Sequence, residues 1–263
     1  MKKITTRHLQ ALKKNKTKFA TVALYDAPMA AMAEKCDIPV VLVGDSLGMT
    51  MLGYDSTIPV TMEHMIYHIE AVSRGNKSSF IIGDLPFMSY ATADDALKNS
   101  TRVMQAGAHM VKLEGGKWLA DTVKKLTDCG IPVCAHLGLL PQSVNKLGGF
   151  RVQGKTSDDA EQIYRDALLM EKSGADLIVL ECIPEALAKK ISETLTIPVI
   201  GIGAGSDTDA QILVINDILG LTETPPKFSK NFLVESEDIP GALRKYVNDV
   251  EQKLFPDDAH VFL

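Results

Sequence analysis

Eight short apolar runs, each ending in a polar residue or a glycine, recur along this chain, and intervals between them carry helical patterns. The runs are Phe19–Tyr25, Pro39–Asp45, Ser79–Asp84, Met110–Glu114, Pro132–His136, Asp176–Glu181, Pro198–Gly203 and a weaker Gln211–Asn216. Their apolar character is continuous rather than alternating, as in strands covered on both faces, and such strands belong to parallel sheets flanked by helices. One interval shows the helical spacing plainly: Ala160, Ile163, Ala167 and Met170 recur at three or four residues, with Ser157 as candidate N-cap and Gly174 as stop. Eight such units predict an α/β fold closed into a (βα)8 barrel, since open doubly wound sheets usually have fewer strands. No linker or low-complexity tract interrupts the pattern, so residues 1–263 read as a single domain. After the eighth run, Ile239, Ala242, Tyr246, Val250 and Leu254 outline an additional C-terminal helix, its stripe available to the barrel or to another subunit.

Composition narrows the function classes. With 46% hydrophobic and 23% charged residues the chain can bury a large core, which excludes collagenous, disordered and disulfide-scaffold classes. A net charge of -5 disfavours nucleic acid and anionic membrane as partners. Cys36, Cys129, Cys134 and Cys182 form no C-x-x-C pair and read as small buried hydrophobes in a reducing compartment, not as zinc ligands. Met1 to Phe19 carries seven Lys or Arg but no signal-peptide core, and no apolar run reaches membrane-spanning length, so a cytoplasmic location is expected.

In such a barrel the active site lies at the C-terminal ends of the strands, so Tyr25, Asp45, Asp84, Glu114, His136 and Glu181 should face one mouth. Four carboxylates sharing a pocket repel one another unless a cation or a proton is shared among them. Oxygen-only ligation suits Mg²⁺ or Mn²⁺ rather than zinc. Each acid taken singly could instead cap a helix; the repetition across strands favours the metal. Lys112 is two residues before Glu114 and shares its side of the strand. It either pairs structurally with an acid or holds an anionic substrate. His136 has a similar ambiguity and is read as lining the site.

Two glycine patterns carry less. Gly149 to Thr156 matches G-x-x-x-x-G-K-[ST], but the preceding segment Pro141–Gly149 reads as an irregular loop, whereas a phosphate loop follows directly on a buried strand. Gly201-Ile-Gly203-Ala-Gly205 lacks the last glycine of the dinucleotide fingerprint; it either lets backbone approach a ligand or makes a tight turn.

Longer motifs are more distinctive. Val43-Gly-Asp-Ser-Leu-Gly-Met49, Asp55-Ser-Thr, Asp84-Leu-Pro-Phe-Met, Val111-Lys-Leu-Glu-Gly-Gly116, His136-Leu-Gly-Leu-Leu-Pro-Gln-Ser143, Gly148-Gly-Phe-Arg-Val-Gln-Gly154, Leu180-Glu-Cys-Ile-Pro184, Ile200-Gly-Ile-Gly-Ala-Gly205 and Pro226-Lys-Phe occur in this order. In them the chain resembles the ketopantoate hydroxymethyltransferase family over nearly its whole length. The resemblance implies a cytoplasmic, Mg²⁺-dependent (βα)8 enzyme of pantothenate synthesis, moving a one-carbon unit from methylenetetrahydrofolate to α-ketoisovalerate through a metal-stabilised enolate. It implies Asp45 and Asp84 as direct ligands of one Mg²⁺ per subunit, with Glu114 acting through water. It also implies Ser46 and Lys112 on the ketoacid, His136 in the pocket, Glu181 as general base, and a homo-oligomer, typically a decamer. A lyase or mutase akin to isocitrate lyase is the alternative, but its Lys-x-Cys-Gly-His loop is not found, since Cys129-Gly130 is followed by Ile131. A metal-binding or metabolite-sensing barrel without turnover is a third reading, opposed by the full set of acid, base and cation.

Overall fold

The computed structural model describes residues 3–262. Eight parallel strands pair in sequence order and close: β1 (Phe19–Ala23), β2 (Val40–Val43), β3 (Phe80–Asp84), β4 (Met110–Glu114), β5 (Val133–Gly138), β6 (Leu177–Glu181), β7 (Val199–Ile202) and β8 (Ala210–Val214). The last step is β8 on β1, with Phe19 beside Ala210 and Ala23 beside Val214. Every residue of β1 to β4 is buried, which accounts for their unbroken apolar runs. Three runs begin with a proline that stands one residue before its strand, at Pro39, Pro132 and Pro198. A proline there removes no ladder donor, while its carbonyl still accepts, from Phe80, Val111 and Ile178 respectively.

Helices cover the barrel, and details of the sequence reading shift. The helix Ser157–Lys172 starts one residue earlier than Ser157 as a cap would require: Thr156 is the N-cap, its hydroxyl accepting from Asp159 N at 3.2 Å. Between β7 and β8 the alternation lapses, because residues 203–209 leave no room for a returning helix. Gly205 turns there at φ +78°, where a Cβ would meet Glu185 Cγ at 2.3 Å, so the glycine pattern is a tight turn packed on a helix.

The C-terminal helix Ile239–Glu251 takes the barrel of the two places open to it. Ala242, Leu243, Tyr246 and Val250 are buried. The Tyr246 hydroxyl, fully enclosed, lies 2.9 Å from the carbonyls of both Thr21 and Gln211, bridging the β1–β8 seam. Leu254 falls beyond the helix and is exposed. At the end of the barrel where strands begin, the helix Thr6–Lys14 is tied down by Lys13 Nζ, 2.6 Å from Asp209 Oδ2 and 2.8 Å from the Ser192 carbonyl. Of the cysteines, Cys36, Cys134 and Cys182 are buried as expected, but Cys129 is exposed, because it caps a helix end at the surface rather than entering the core.

Candidate active site

The mouth of the barrel collects the acids. Asp84 and Glu114 end β3 and β4, while Asp45 lies two residues past β2, and one oxygen of each falls within 4.8 Å of the others. All three are buried. Lys112 follows Glu114 to the interior as the two-residue period requires, its Nζ 2.9 Å from Asp84 Oδ2 and 3.2 Å from Glu114 Oε1. His136, beside Glu114 in the β4–β5 register, places Nδ1 3.4 Å from Glu114 Oε1 and Nε2 3.1 Å from Glu181 Oε2. The Nε2 contact has ion-pair distance without hydrogen-bond alignment. Glu181 closes β6 outside the acid cluster and is the most open of the four carboxylates, its side chain 14% exposed.

Local backbone holds that end of β6. Gly138, at φ +93°, allows β5 to approach so closely that a Cβ would stand 2.2 Å from the Glu181 carbonyl. Cys182 adopts φ +46°, a conformation uncommon for a side-chain-bearing residue. Its N–H donates to the Ile202 carbonyl at 2.9 Å, and its own carbonyl accepts from Gln153 N at 2.9 Å.

The electrostatics follow from burial and from one cation among several anions. Burial, then Asp84 and Glu114, push the Asp45 carboxyl well above the usual range. Burial raises Asp84 too, against the pull of Lys112. For Glu114 burial is outweighed by Lys112, His136 and the Gln142 backbone, which bring it down to about 2. Burial opposes the charge on Lys112, but Asp84, Glu114 and Asp45 hold it well above the lysine range. His136 is raised: burial and Lys112 act downward, and Glu114 and Glu181 prevail.

The donor set fits a hard divalent cation. Asp84 Oδ1 is enclosed and has no hydrogen-bond partner, a costly state for a carboxylate oxygen unless something binds it. Glu114, by contrast, already receives Lys112 on one oxygen and the Gln142 N–H, at 3.0 Å, on the other. Oxygen ligands alone suit Mg²⁺ or a similar ion.

Ser46 stands next to Asp45 and its Oγ lies 2.8 Å from the Tyr25 hydroxyl, which burial pushes up to about 12. Two residues that the sequence reading assigned no role complete the cluster. Gln142 donates from Nε2 to Asp45 Oδ2 and to the Leu85 carbonyl, both at 2.9 Å. Tyr90 donates to Gln142 Oε1 at 2.5 Å and contacts the Glu114 backbone at 3.3 Å. Gln142 lies within a motif that carried the resemblance, but no periodicity marks it. The Gly149–Thr156 stretch sits in the long connection from β5 to the helix Ser157–Lys172, not directly behind a strand. Its Gly154, at φ +74°, packs on Leu187 instead of a phosphate.

A family model described as ketopantoate hydroxymethyltransferase matches residues 3–258. A 3-methyl-2-oxobutanoate hydroxymethyltransferase of Saccharophagus degradans is 67% identical over 261 residues, covering 99% of this chain and 97% of its own. One of the same name from Proteus mirabilis is 55% identical, with both chains covered completely. Among solved structures, phosphonopyruvate hydrolase with oxalate and Mg²⁺ superposes with a TM-score of 0.63 at 16% identity, over 84% of each chain. A 2,3-dimethylmalate lyase of the PEP mutase/isocitrate lyase superfamily gives 0.58 at 15%, over 79% of this chain and 80% of its own. At such identities these two share the barrel architecture alone.

Proposed function

This chain belongs to the ketopantoate hydroxymethyltransferase family, and from that premise we propose how its barrel mouth makes ketopantoate for pantothenate synthesis. The enzyme moves a hydroxymethyl group onto 3-methyl-2-oxobutanoate (α-ketoisovalerate), with methylenetetrahydrofolate as donor. The whole chain acts as one catalytic domain, in the cytoplasm, as a homo-oligomer of decamer type.

The unpartnered Asp84 Oδ1 inside a triad of buried acids carries the reading. Asp45 and Asp84 would hold one Mg²⁺ directly, and Glu114, its oxygens already engaged by Lys112 and the Gln142 N–H, would act on it through water. Bound there, the ion supplies Lewis-acid stabilisation of negative charge on the ketoacid carbonyl oxygen. Lys112 and Ser46 receive the ketoacid, Lys112 offering a fixed positive charge that Asp84 and Glu114 keep protonated. Glu181 stands outside the acid triad and is free to act as base. It removes the methine proton next to the ketone, the C–H electron pair passing into an enolate. Water adds to the one-carbon unit as its first bond to a folate nitrogen breaks, supplying the hydroxyl and leaving its second proton on that nitrogen. The enolate carbon then bonds to the same carbon as the remaining carbon–nitrogen bond breaks, and that nitrogen takes up the proton held by Glu181, so the folate leaves as tetrahydrofolate. His136, 3.1 Å from Glu181, keeps that carboxylate turned inward.

Deprotonation precedes one-carbon transfer, so it can be followed alone. In D₂O with Mg²⁺ and no folate, the enzyme should exchange the methine hydrogen of 3-methyl-2-oxobutanoate. Glu181→Gln should slow exchange by roughly 10²–10⁴-fold, the contribution of a positioned base. Exchange at the wild-type rate in that variant would move the base elsewhere, with His136 the next candidate.

A further inference from the structure

Exposed apolar surface is unevenly distributed on this molecule. Among the described residues, eight of the twelve exposed large apolar side chains lie on the connections after β2, β3, β4 and β5, on the mouth side of the barrel. The chemistry above uses none of them. Scattered exposed apolar residues are ordinary, but their concentration around one half of an active-site mouth marks a surface that something covers.

Trp118 is the best defined of these residues. It is the chain's only tryptophan and is 57% exposed. One face is stacked on Tyr90, with ring centroids 5.9 Å apart and planes inclined by 18°. Its edge rests against Gly115, which sits at φ +144° directly after Glu114, and where a Cβ would lie 2.4 Å from Trp118 Nε1. Tyr90 is itself locked by Gln142, the residue that holds Asp45. The indole is therefore a fixed slab, one aromatic layer outside the acid cluster, with its other face in solvent. A rigid aromatic surface of this kind binds flat partners at low entropic cost. Phe87 and Phe150 are exposed on the flanking connections. Lys117 beside the indole, and Arg151 and Lys155 beyond Phe150, are exposed cations.

We propose that Trp118, backed by Tyr90, is the stacking platform for the pteridine and aminobenzoyl rings of the folate co-substrate, whose glutamate carboxylates run out toward Arg151 and Lys155. This rests on the function proposed above and deepens it. The ketoacid is small and aliphatic and has no use for such a surface, whereas the folate is flat, π-rich and anionic at its tail. Its transferable carbon lies between the two ring systems, so stacking at the rim directs that carbon inward, toward the acids.

The test uses the intact oligomeric enzyme with Mg²⁺. Trp118→Ala should raise KM for methylenetetrahydrofolate by about tenfold or more, the loss of one ring-on-ring stack, and Trp118→Phe should recover most of it. KM for the ketoacid and the folate-independent deuterium exchange should both stay within about twofold, because they report on the metal and base alone. Tetrahydrofolate should also quench the single tryptophan's emission saturably, beyond the attenuation that free tryptophan shows in the same solution. An unchanged folate KM in Trp118→Ala overturns the proposal. A smaller assembly mass with unchanged folate KM also overturns it, and assigns the patch to a subunit contact. Absence of exchange in the wild type would strike the proposed function instead, so the two failures are separable.

Discussion

Replacing Lys112 by methionine keeps most of the side-chain volume and removes the ammonium that pairs with both Asp84 and Glu114, leaving Glu114 only the His136 imidazole. In the metal-free protein this leaves buried carboxylates uncompensated, and breaking a buried pair in this way costs about 3–5 kcal/mol. For a chain of this size each kcal/mol moves the midpoint by about 2–4 °C, so Lys112→Met should melt roughly 6–20 °C lower in a chelator. The sign with pH follows from the individual shifts. Glu114 is held at about 2, so its stabilising pairing is present above the ordinary carboxylate range and lost as pH falls toward about 2. Lys112 is raised, so its contribution is full below the ordinary lysine range and disappears only as pH climbs through its elevated value. Between those limits, through neutral pH, the variant bears the whole penalty. Asp45 and Asp84 are raised by burial, so the native state binds more protons than the unfolded chain, and metal-free stability declines as pH rises from the ordinary carboxylate range to their folded values. The variant's deficit should therefore shrink on acidification. Magnesium alone should recover more of the midpoint in the variant than in wild type, since a cation again faces the acids, while turnover stays low because the ketoacid has lost its anchor. Scanning calorimetry with and without Mg²⁺ at two pH values measures the midpoints, and an assay of ketoacid turnover measures the rest. A midpoint within about 2 °C of wild type in chelator, or a magnesium response no larger than wild type's, would refute the reasoning.

Gln142→Leu deletes the donors to Asp45 and Leu85 and should weaken Mg²⁺ binding by about 10–100-fold, measured by calorimetric titration, with the melting midpoint of the loaded enzyme falling by about 3–11 °C as the ion contributes less. Tyr246→Phe removes a hydroxyl that serves two strand carbonyls at the seam and should cost about 1–3 kcal/mol in urea unfolding without touching turnover. Exhaustive chelation should abolish exchange and transfer together, and Mg²⁺ or Mn²⁺ should restore both; full activity in chelator would leave the acids as structural groups. Light scattering should give a mass well above twice 28.6 kDa; a monomer mass would refute the expected assembly, which cannot use the apolar stripe of the C-terminal helix because the barrel already buries it.

The barrel was legible because its evidence is local and repeated. A strand buried on both faces must be apolar throughout, a proline tolerated at its start must precede the first ladder donor, and both signs recur along the chain at Pro39, Pro132 and Pro198. The same periodicity placed Lys112 and Glu114 on one side of β4, and closure then brought Asp45, Asp84 and Glu114 together. Where a position depends on a distant partner, the local signal fails. Tyr246 reads as one more apolar position on a helix, yet its hydroxyl is fixed by carbonyls of β1 and β8. Cys129 reads as a small hydrophobe, but the turn after its helix leaves it in solvent. Gln142 and Tyr90 belong to connections without periodicity, and their importance arises only when β3, β4 and β5 stand side by side, so that one side chain can reach Asp45 and the other can underlie Trp118. Acids at strand ends announce a candidate site in the sequence; the neutral groups that orient them appear only in three dimensions, and it is through these groups that the outer aromatic surface is mechanically joined to the acid cluster.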